Sequence, residues 1–222
     1  GLSASTTYFF QLRARNADLV TTAFAAAVST RTLPPLPGTP GAPFTASVST
    51  GGVAWVWAGS SNAASYQVVL ATNVAETLAA PATNTFHKVL GPNEASGIVV
   101  RGLNATGSGS LSATATAYSL AQPPAAFALA TVSSAAVALT WSANGNPSGT
   151  VYELQLSTDG ALYTAFSTFT TAGATASALS ASTTYFFQVR ARNGDLVTTA
   201  FAAAVSTRTL PPLPGTPGTP FT

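Results

Sequence analysis

"LSASTTYFFQVRARN" runs from Leu179 to Asn193, and "LSASTTYFFQLRARN" runs from Leu2 to Asn16. The two stretches lie 177 positions apart, and the correspondence extends from Gly1 with Ala178 to Thr45 with Thr222. Only four of these 45 pairs differ: Gly1/Ala178, Leu12/Val189, Ala17/Gly194 and Ala42/Thr219. Near-identity over such a length marks a tandem duplication, which has to be recognised before any fold is assigned. Within the stretch, Tyr185, Phe187, Val189 and Ala191 fall on one parity, opposite Phe186, Gln188, Arg190 and Arg192, the period-two pattern of a half-buried strand.

The 177-residue unit is itself divisible. "VAWVWAGSSNAASYQVVLA" has a diverged counterpart in "VALTWSANGNPSGTVYELQLS", with Trp57 and Trp141 84 positions apart and Tyr66 and Tyr152 86 apart. Two modules of about 90 residues therefore make one repeat. Pro clusters mark the boundaries, at Leu33 to Pro43, Ala121 to Ala125 and Leu210 to Pro220. This predicts the last two strands of a module over 1–33, a Pro-rich linker over 34–43, a complete module over 44–120, and a second over 121–210. Residues 211–222 read as a linker and the start of a next module. Gly1 falls in the middle of a pattern, so the missing strands of the first hairpin are expected upstream or from another copy of the chain.

In the second module Val137, Leu139 and Trp141 share one strand face, followed by Tyr152, Leu154 and Leu156, then Tyr185 to Ala191. Turn chemistry separates them, at "NGNPSG" (144–149), "TDG" (158–160) and "NGD" (193–195). Ala-rich 200–205 is short and lacks helix caps, so a strand is expected there. In the first module Trp55 takes the place of Leu139, Ser96 that of Tyr185, and Ile98, Val100 and Gly102 supply the alternating face.

The order Pro-Pro, Trp141, Tyr152, then Leu179 with Tyr185 six residues later, and a closing "VSTRTLP" resembles a fibronectin type III domain, in a tandem repeat array of bacterial type. The resemblance implies an all-β fold of tandem seven-stranded antiparallel sandwiches, immunoglobulin-like, with a partial module at the N-terminus. It implies sheets of ABE and C′CFG order and a tyrosine corner at Leu179 and Tyr185, with Tyr8 as the corner tyrosine of the first hairpin. The corresponding bond is in question for the first module, where Ser96 stands. The expected structural core is Trp55, Trp57, Tyr66, Trp141, Tyr152, Leu179, Tyr185, Phe187, Val189 and Tyr8.

Composition narrows function mainly by exclusion. Charged residues make up 6% of the chain and the formal net charge is +2, so the clustered Lys and Arg that a phosphate backbone requires are missing and no nucleic-acid partner is expected. With no Cys there are no disulfides, thiolate metal sites or Cys nucleophiles. No apolar run reaches the length of a membrane-spanning helix. The single histidine, His87, lies between Phe86 and Lys88 with no nucleophile elbow or phosphate-binding motif in the chain. Asp18, Glu76, Glu94, Glu153, Asp159 and Asp195 are scattered, and Asp18 and Asp195 read as turn residues rather than cation ligands. Neither a cofactor, a metal nor a catalytic site is expected.

Arg190 and Arg192 share an outward face; pairing with Glu153 on the neighbouring strand competes with binding an anionic cell-surface glycan. Asn104, in "NAT", is the only N-glycosylation sequon because Pro147 blocks the one at Asn146. Val56, Val69, Val99 and Phe186 fall on the outward parity and are candidates for lateral packing between modules or chains. These features point to a non-catalytic structural or adhesive segment, extracellular or on a cell surface, that forms or decorates a filament with copies of itself as partners. Spacer modules of a secreted carbohydrate-active enzyme, or a ligand-binding module using sandwich loops, are the alternatives.

Overall fold

The structure, a computed structural model, describes residues 1–215; the part of the expected next module at 216–222 lies outside the described residues. Among the described residues there are seventeen strands and no helix. Contacts divide the chain into two compact units: Gly1–Phe44 with Trp55–Phe86 and Gly97–Ala115, and Thr45–Ala54 with His87–Ser96 and the chain from Thr116 onward. The stretch 44–120 contributes to both.

The second unit contains a complete seven-stranded sandwich. β11 (Ala125–Val132), β12 (Val137–Ser142) and β15 (Gly173–Ala176) form one antiparallel sheet. β14 (Thr164–Phe169), β13 (Val151–Ser157), β16 (Thr184–Arg192) and β17 (Val205–Arg208) form the other, in that order. Val137, Leu139 and Trp141 are buried on β12, and Tyr185, Phe187, Val189 and Ala191 on β16, as the alternation predicts. On β13 Tyr152 and Leu154 are buried while Leu156 is only half-buried, because the β13–β14 register shifts after Leu154. Phe127, Trp141 and Tyr152 make an edge-to-face chain with ring centroids 6.1 and 5.5 Å apart.

Leu179 is buried at the corner, and Tyr185 Oη accepts a hydrogen bond from the Ser180 N–H at 3.0 Å. The 200–205 segment is not the expected strand except at Val205. Ala191 and Val189, two residues apart on β16, accept from Thr199 and Ala202, which are three apart, so an extra residue breaks the ladder.

The strands of 44–120 repeat this order. β3 (Phe44–Ser49), β4 (Gly52–Val56) and β7 (Thr85–Val89) make a three-stranded sheet. β10 (Ala115–Tyr118), β8 (Ala95–Asn104), β5 (Ser65–Leu70) and β6 (Asn73–Ala79) make the other, with the short β9 (Gly107–Ser108) beside β8. Trp55, Trp57, Tyr66, Ile98, Val100 and Gly102 are buried. Trp57 and Tyr66 stand edge-on with centroids 5.5 Å apart, the same spacing as Trp141 and Tyr152. Ser96 is buried with its hydroxyl unpartnered, so the corner bond of Tyr185 has no equivalent at this position.

β1 (Thr7–Phe10) and β2 (Val28–Arg31) form a separate two-stranded hairpin. Its register, Thr7 opposite Arg31 through Phe10 opposite Val28, is that of β16 and β17 shifted by 177. The isolated bridge Arg15–Thr21 likewise matches Arg192–Thr198, and Leu19 and Leu196 share a left-handed φ of 66°. The Ser3 N–H donates to Tyr8 Oη at 2.6 Å, so the corner forms here too.

Candidate assembly site

Identical hairpins in different surroundings separate what the local sequence dictates from what packing adds. Phe187 and Val189 are both 0% exposed, whereas their counterparts Phe10 and Leu12 are 47% and 78% exposed. Tyr8, expected in a core, is only half-buried because, among the described residues, no five-stranded bed lies against its face. β16 continues to Arg192 by pairing with β13, whereas β1 stops at Phe10. Turn, corner and register thus belong to the hairpin itself; strand length and burial belong to its bed.

The second cluster of note lies at the loops of the second unit and is built from asparagines. Asn193 is buried and donates Nδ2–H to the Ser119 carbonyl at 3.1 Å, while its Oδ1 accepts from the Asp195 and Val197 N–H groups at 3.1 and 2.8 Å. Asp195 Oδ2 accepts from the Tyr118 N–H at 2.7 Å. Asn93 Oδ1 accepts from the Gly194 N–H and its Nδ2–H donates to Thr150 Oγ1, each at 2.9 Å. Asn146 clasps Gln122 by both backbone groups at 2.8 Å, and Asn144 donates to the Pro123 carbonyl at 2.9 Å. Asp195, Asn193, Asn146 and Asn144 thus bond backbone groups of Tyr118, Ser119, Gln122 and Pro123 in the connection 118–123, which carries no ladder of its own along most of its length.

Gly194 is required by this packing, since a Cβ there would lie 2.5 Å from carbons of the Tyr118 ring. Ser119 completes the connection, donating Oγ–H to the Gly91 carbonyl at 2.6 Å and accepting from the Glu94 N–H at 2.9 Å. Sequence reading assigned Asp195 to a turn and overlooked its bond to Tyr118. The signal was the Ala17/Gly194 difference between the copies.

In the first unit the linker is fastened in a similar way. Asn104, the sequon residue, donates Nδ2–H to the carbonyls of Pro35 at 2.6 Å and Asn62 at 2.9 Å. The Thr106 hydroxyl donates to the Pro34 carbonyl. The Gly38 and Gly41 N–H groups reach the Ser61 and Ala58 carbonyls, both at 3.0 Å, and Pro37, Pro40 and Pro43 are buried. Asn104 therefore holds the linker through the amide that a glycan would need.

Glu153 pairs with both arginines, 2.7 Å from Arg190 and 3.4 Å from Arg192, and the Arg190 guanidinium also lies 4.7 Å from the Phe201 ring centroid. Val69 and Val99 do not lie on an open face: both are buried, standing directly opposite each other beside the hydrogen-bonded pair Gln67 and Arg101. The alternation placed them on the correct side but assumed that this side was wet. Val56 is half-buried, and so is Phe186, whose ring backs onto the turn at Gly160. The exposed large apolar residues are instead concentrated in the first hairpin, at Phe9, Phe10, Leu12, Leu19, Val20 and Phe24. His87 is exposed beside Gly52, and no group of three or more His, Cys, Asp or Glu comes together among the described residues.

A two-domain fibronectin type III segment from chicken tenascin superposes with a TM-score of 0.53 at 10% identity, over 77% of this chain and 99% of that one. The fold is that of tandem fibronectin type III domains. The FN1–FN3 domains of chicken CNTN1 align over 91% of this chain and 77% of theirs, at 15% identity and a TM-score of 0.37. A domain of human fibronectin type III domain containing protein 3 covers 41% of this chain and 88% of its own, at 24% identity and a TM-score of 0.37. No protein-family model and no curated protein matches the sequence. The asparagine cluster thus lies on the connection that leads into the sandwich of β11 to β17, and the first hairpin has the register of that sandwich's β16 and β17.

Proposed function

We propose that this chain is a segment of a non-catalytic structural or adhesive array of fibronectin type III modules outside the cell, forming or decorating a surface filament whose partners are copies of itself. The observation that carries this reading is the fastened connection at 118–123, where Asn146 bonds both backbone groups of Gln122, Asn193 bonds the Ser119 carbonyl and Asp195 bonds the Tyr118 N–H. A connection bonded on several sides transmits the orientation of one module to the next, as reach and stiffness require. Tandem near-identity and a surface with few charges favour the same reading, because such a surface opposes contact between copies weakly. Electron microscopy of the native material tests it. Uniform fibres are expected, with an axial repeat of one or two modules, each about 33 Å for a ten-residue strand. Dispersed, unassociated chains at high concentration would overturn it.

A further inference from the structure

We propose that Asn144 is a site of spontaneous covalent modification, converted to Asp and isoAsp by attack of the Gly145 backbone nitrogen on its side-chain amide, and that the product loosens the connection 118–123. The inference does not depend on the filament reading. The chain contains two Asn-Gly steps, at Asn144–Gly145 and Asn193–Gly194, and one Asp-Gly step, at Asp159–Gly160. Asparagine is chemically labile, and a following glycine has no Cβ to shield its nitrogen or to restrict the backbone. The fold closes two of these three steps and leaves the third open.

Asn193 is 3% exposed with its side-chain amide bonded at both ends, and the Gly194 N–H is held by Asn93 Oδ1 at 2.9 Å. At Asp159 the Ser157 hydroxyl and the Ala161 and Leu162 N–H groups keep the carboxyl ionised, so it has no leaving group. The Gly160 N–H is also engaged, donating to Ser157 Oγ at 2.9 Å. Asn144 and Gly145, by contrast, are both exposed. They take φ of 54° and 84° in a turn closed by the Asn146 N–H, which donates to the Ala143 carbonyl at 3.1 Å. Positive φ at both central positions favours Asn-Gly, so the turn itself calls for the labile pair. The Gly145 N–H donates to no group among the described residues. The Asn144 side chain is held only by its Nδ2–H bond to the Pro123 carbonyl, which water can replace.

In the reaction the Gly145 nitrogen loses its proton and bonds to Asn144 Cγ, while the Cγ–Nδ2 bond breaks and Nδ2 leaves as ammonia. Water then opens the cyclic imide. Cleavage between Cγ and the nitrogen restores the ordinary peptide with an Asp side chain; cleavage at the main-chain carbonyl leaves isoAsp, with the chain running through Cγ. Either product exchanges the donor to the Pro123 carbonyl for a carboxylate that repels it. The isoAsp form also lengthens the backbone two residues before Asn146, whose side chain clasps Gln122 by both backbone groups.

Ageing of the full chain at mildly alkaline pH, followed by peptide mass spectrometry that separates Asn, Asp and isoAsp, tests the site. Conversion at Asn144 is expected to be at least about tenfold faster than at Asn193, which must wait for local opening. In urea that unfolds the sandwich the two steps should react at similar rates. Equal rates in the folded chain overturn the proposal, as does conversion at Asn144 in urea but not in the folded chain, which would show that the turn protects it. Asn144→Asp introduces the carboxylate without ageing, and amide exchange at Gln122 is expected to quicken by at least about threefold in this variant and in aged chain. Unchanged exchange at Gln122 in both would overturn the loosening.

Discussion

Replacing Asn193 by Ala removes three hydrogen bonds at once, and the chain carries its own control in Asn16. At Asn193 the side chain is buried and satisfies the Ser119 carbonyl and the Asp195 and Val197 N–H groups. Each such bond contributes about 1 kcal/mol net, and the groups left behind have little water to turn to, so N193A is expected to destabilise the second sandwich by about 3 kcal/mol. At Asn16, where the flanking sequence differs by Ala17 for Gly194, the side chain is exposed and accepts only from the Val20 N–H, at 2.9 Å. Water replaces that bond, and N16A is expected to cost less than about 1 kcal/mol. Native-state hydrogen exchange in a urea series, read on segments 151–157 and 184–192 for N193A and on residues 7–15 for N16A, measures both in the full chain. A difference between the two variants below about 0.5 kcal/mol would refute the argument that the asparagine acts through its buried connection to Ser119 rather than through its own turn.

Phe187→Ala empties a fully buried site and should cost the second sandwich about 3–5 kcal/mol, while Phe10→Ala leaves melting of that sandwich within about 0.5 kcal/mol of the parent; urea unfolding compares them. Gly194→Ala forces a methyl group against the Tyr118 ring and should cost about 1–3 kcal/mol, and adding Tyr118→Ala should recover part of that loss in a double-mutant cycle. The Ser157 hydroxyl and the Ala161 and Leu162 N–H groups hold the Asp159 carboxyl down to about 2. A lowered carboxylate contributes stability above its unfolded value and loses it as pH falls, so the 157–162 turn should loosen between about pH 4 and pH 2; the side-chain resonances of Asp159 in an acid titration check this, and a midpoint near 4 would contradict it.

The sandwich was legible because its signals are periodic. Trp141 and Tyr152 recur as Trp57 and Tyr66 with nearly constant spacing, and the burial of β16 follows from alternation alone. The pairing of Glu153 with Arg190 and Arg192 could be read for the same reason, since adjacent strands place these residues on one face. The misreadings arose where burial is not local. Parity identifies the side of a sheet on which Val69 and Val99 lie but not whether that side is covered, and both are buried. The Ala-rich 200–205 stretch departs from a strand because of one extra residue in the ladder, which composition does not register.

The asparagine cluster was the least legible feature. Asn93 and Gly194 are 101 positions apart and meet through side chain and backbone, a pairing that leaves no motif in the sequence. Exposure of the first hairpin, by contrast, follows directly from the repeat, because the same residues are present and their bed is not among the described strands.

The central claim is that residues 2–31 and 179–208 are one structural element, once uncovered and once in its sandwich. Site-resolved hydrogen exchange on the unmodified chain compares them amide by amide under identical conditions. The account predicts that Tyr185 to Ala191 exchange far more slowly than Tyr8 to Ala14, with similar turn conformations at Leu19 and Leu196. Equal protection of the two copies would contradict it.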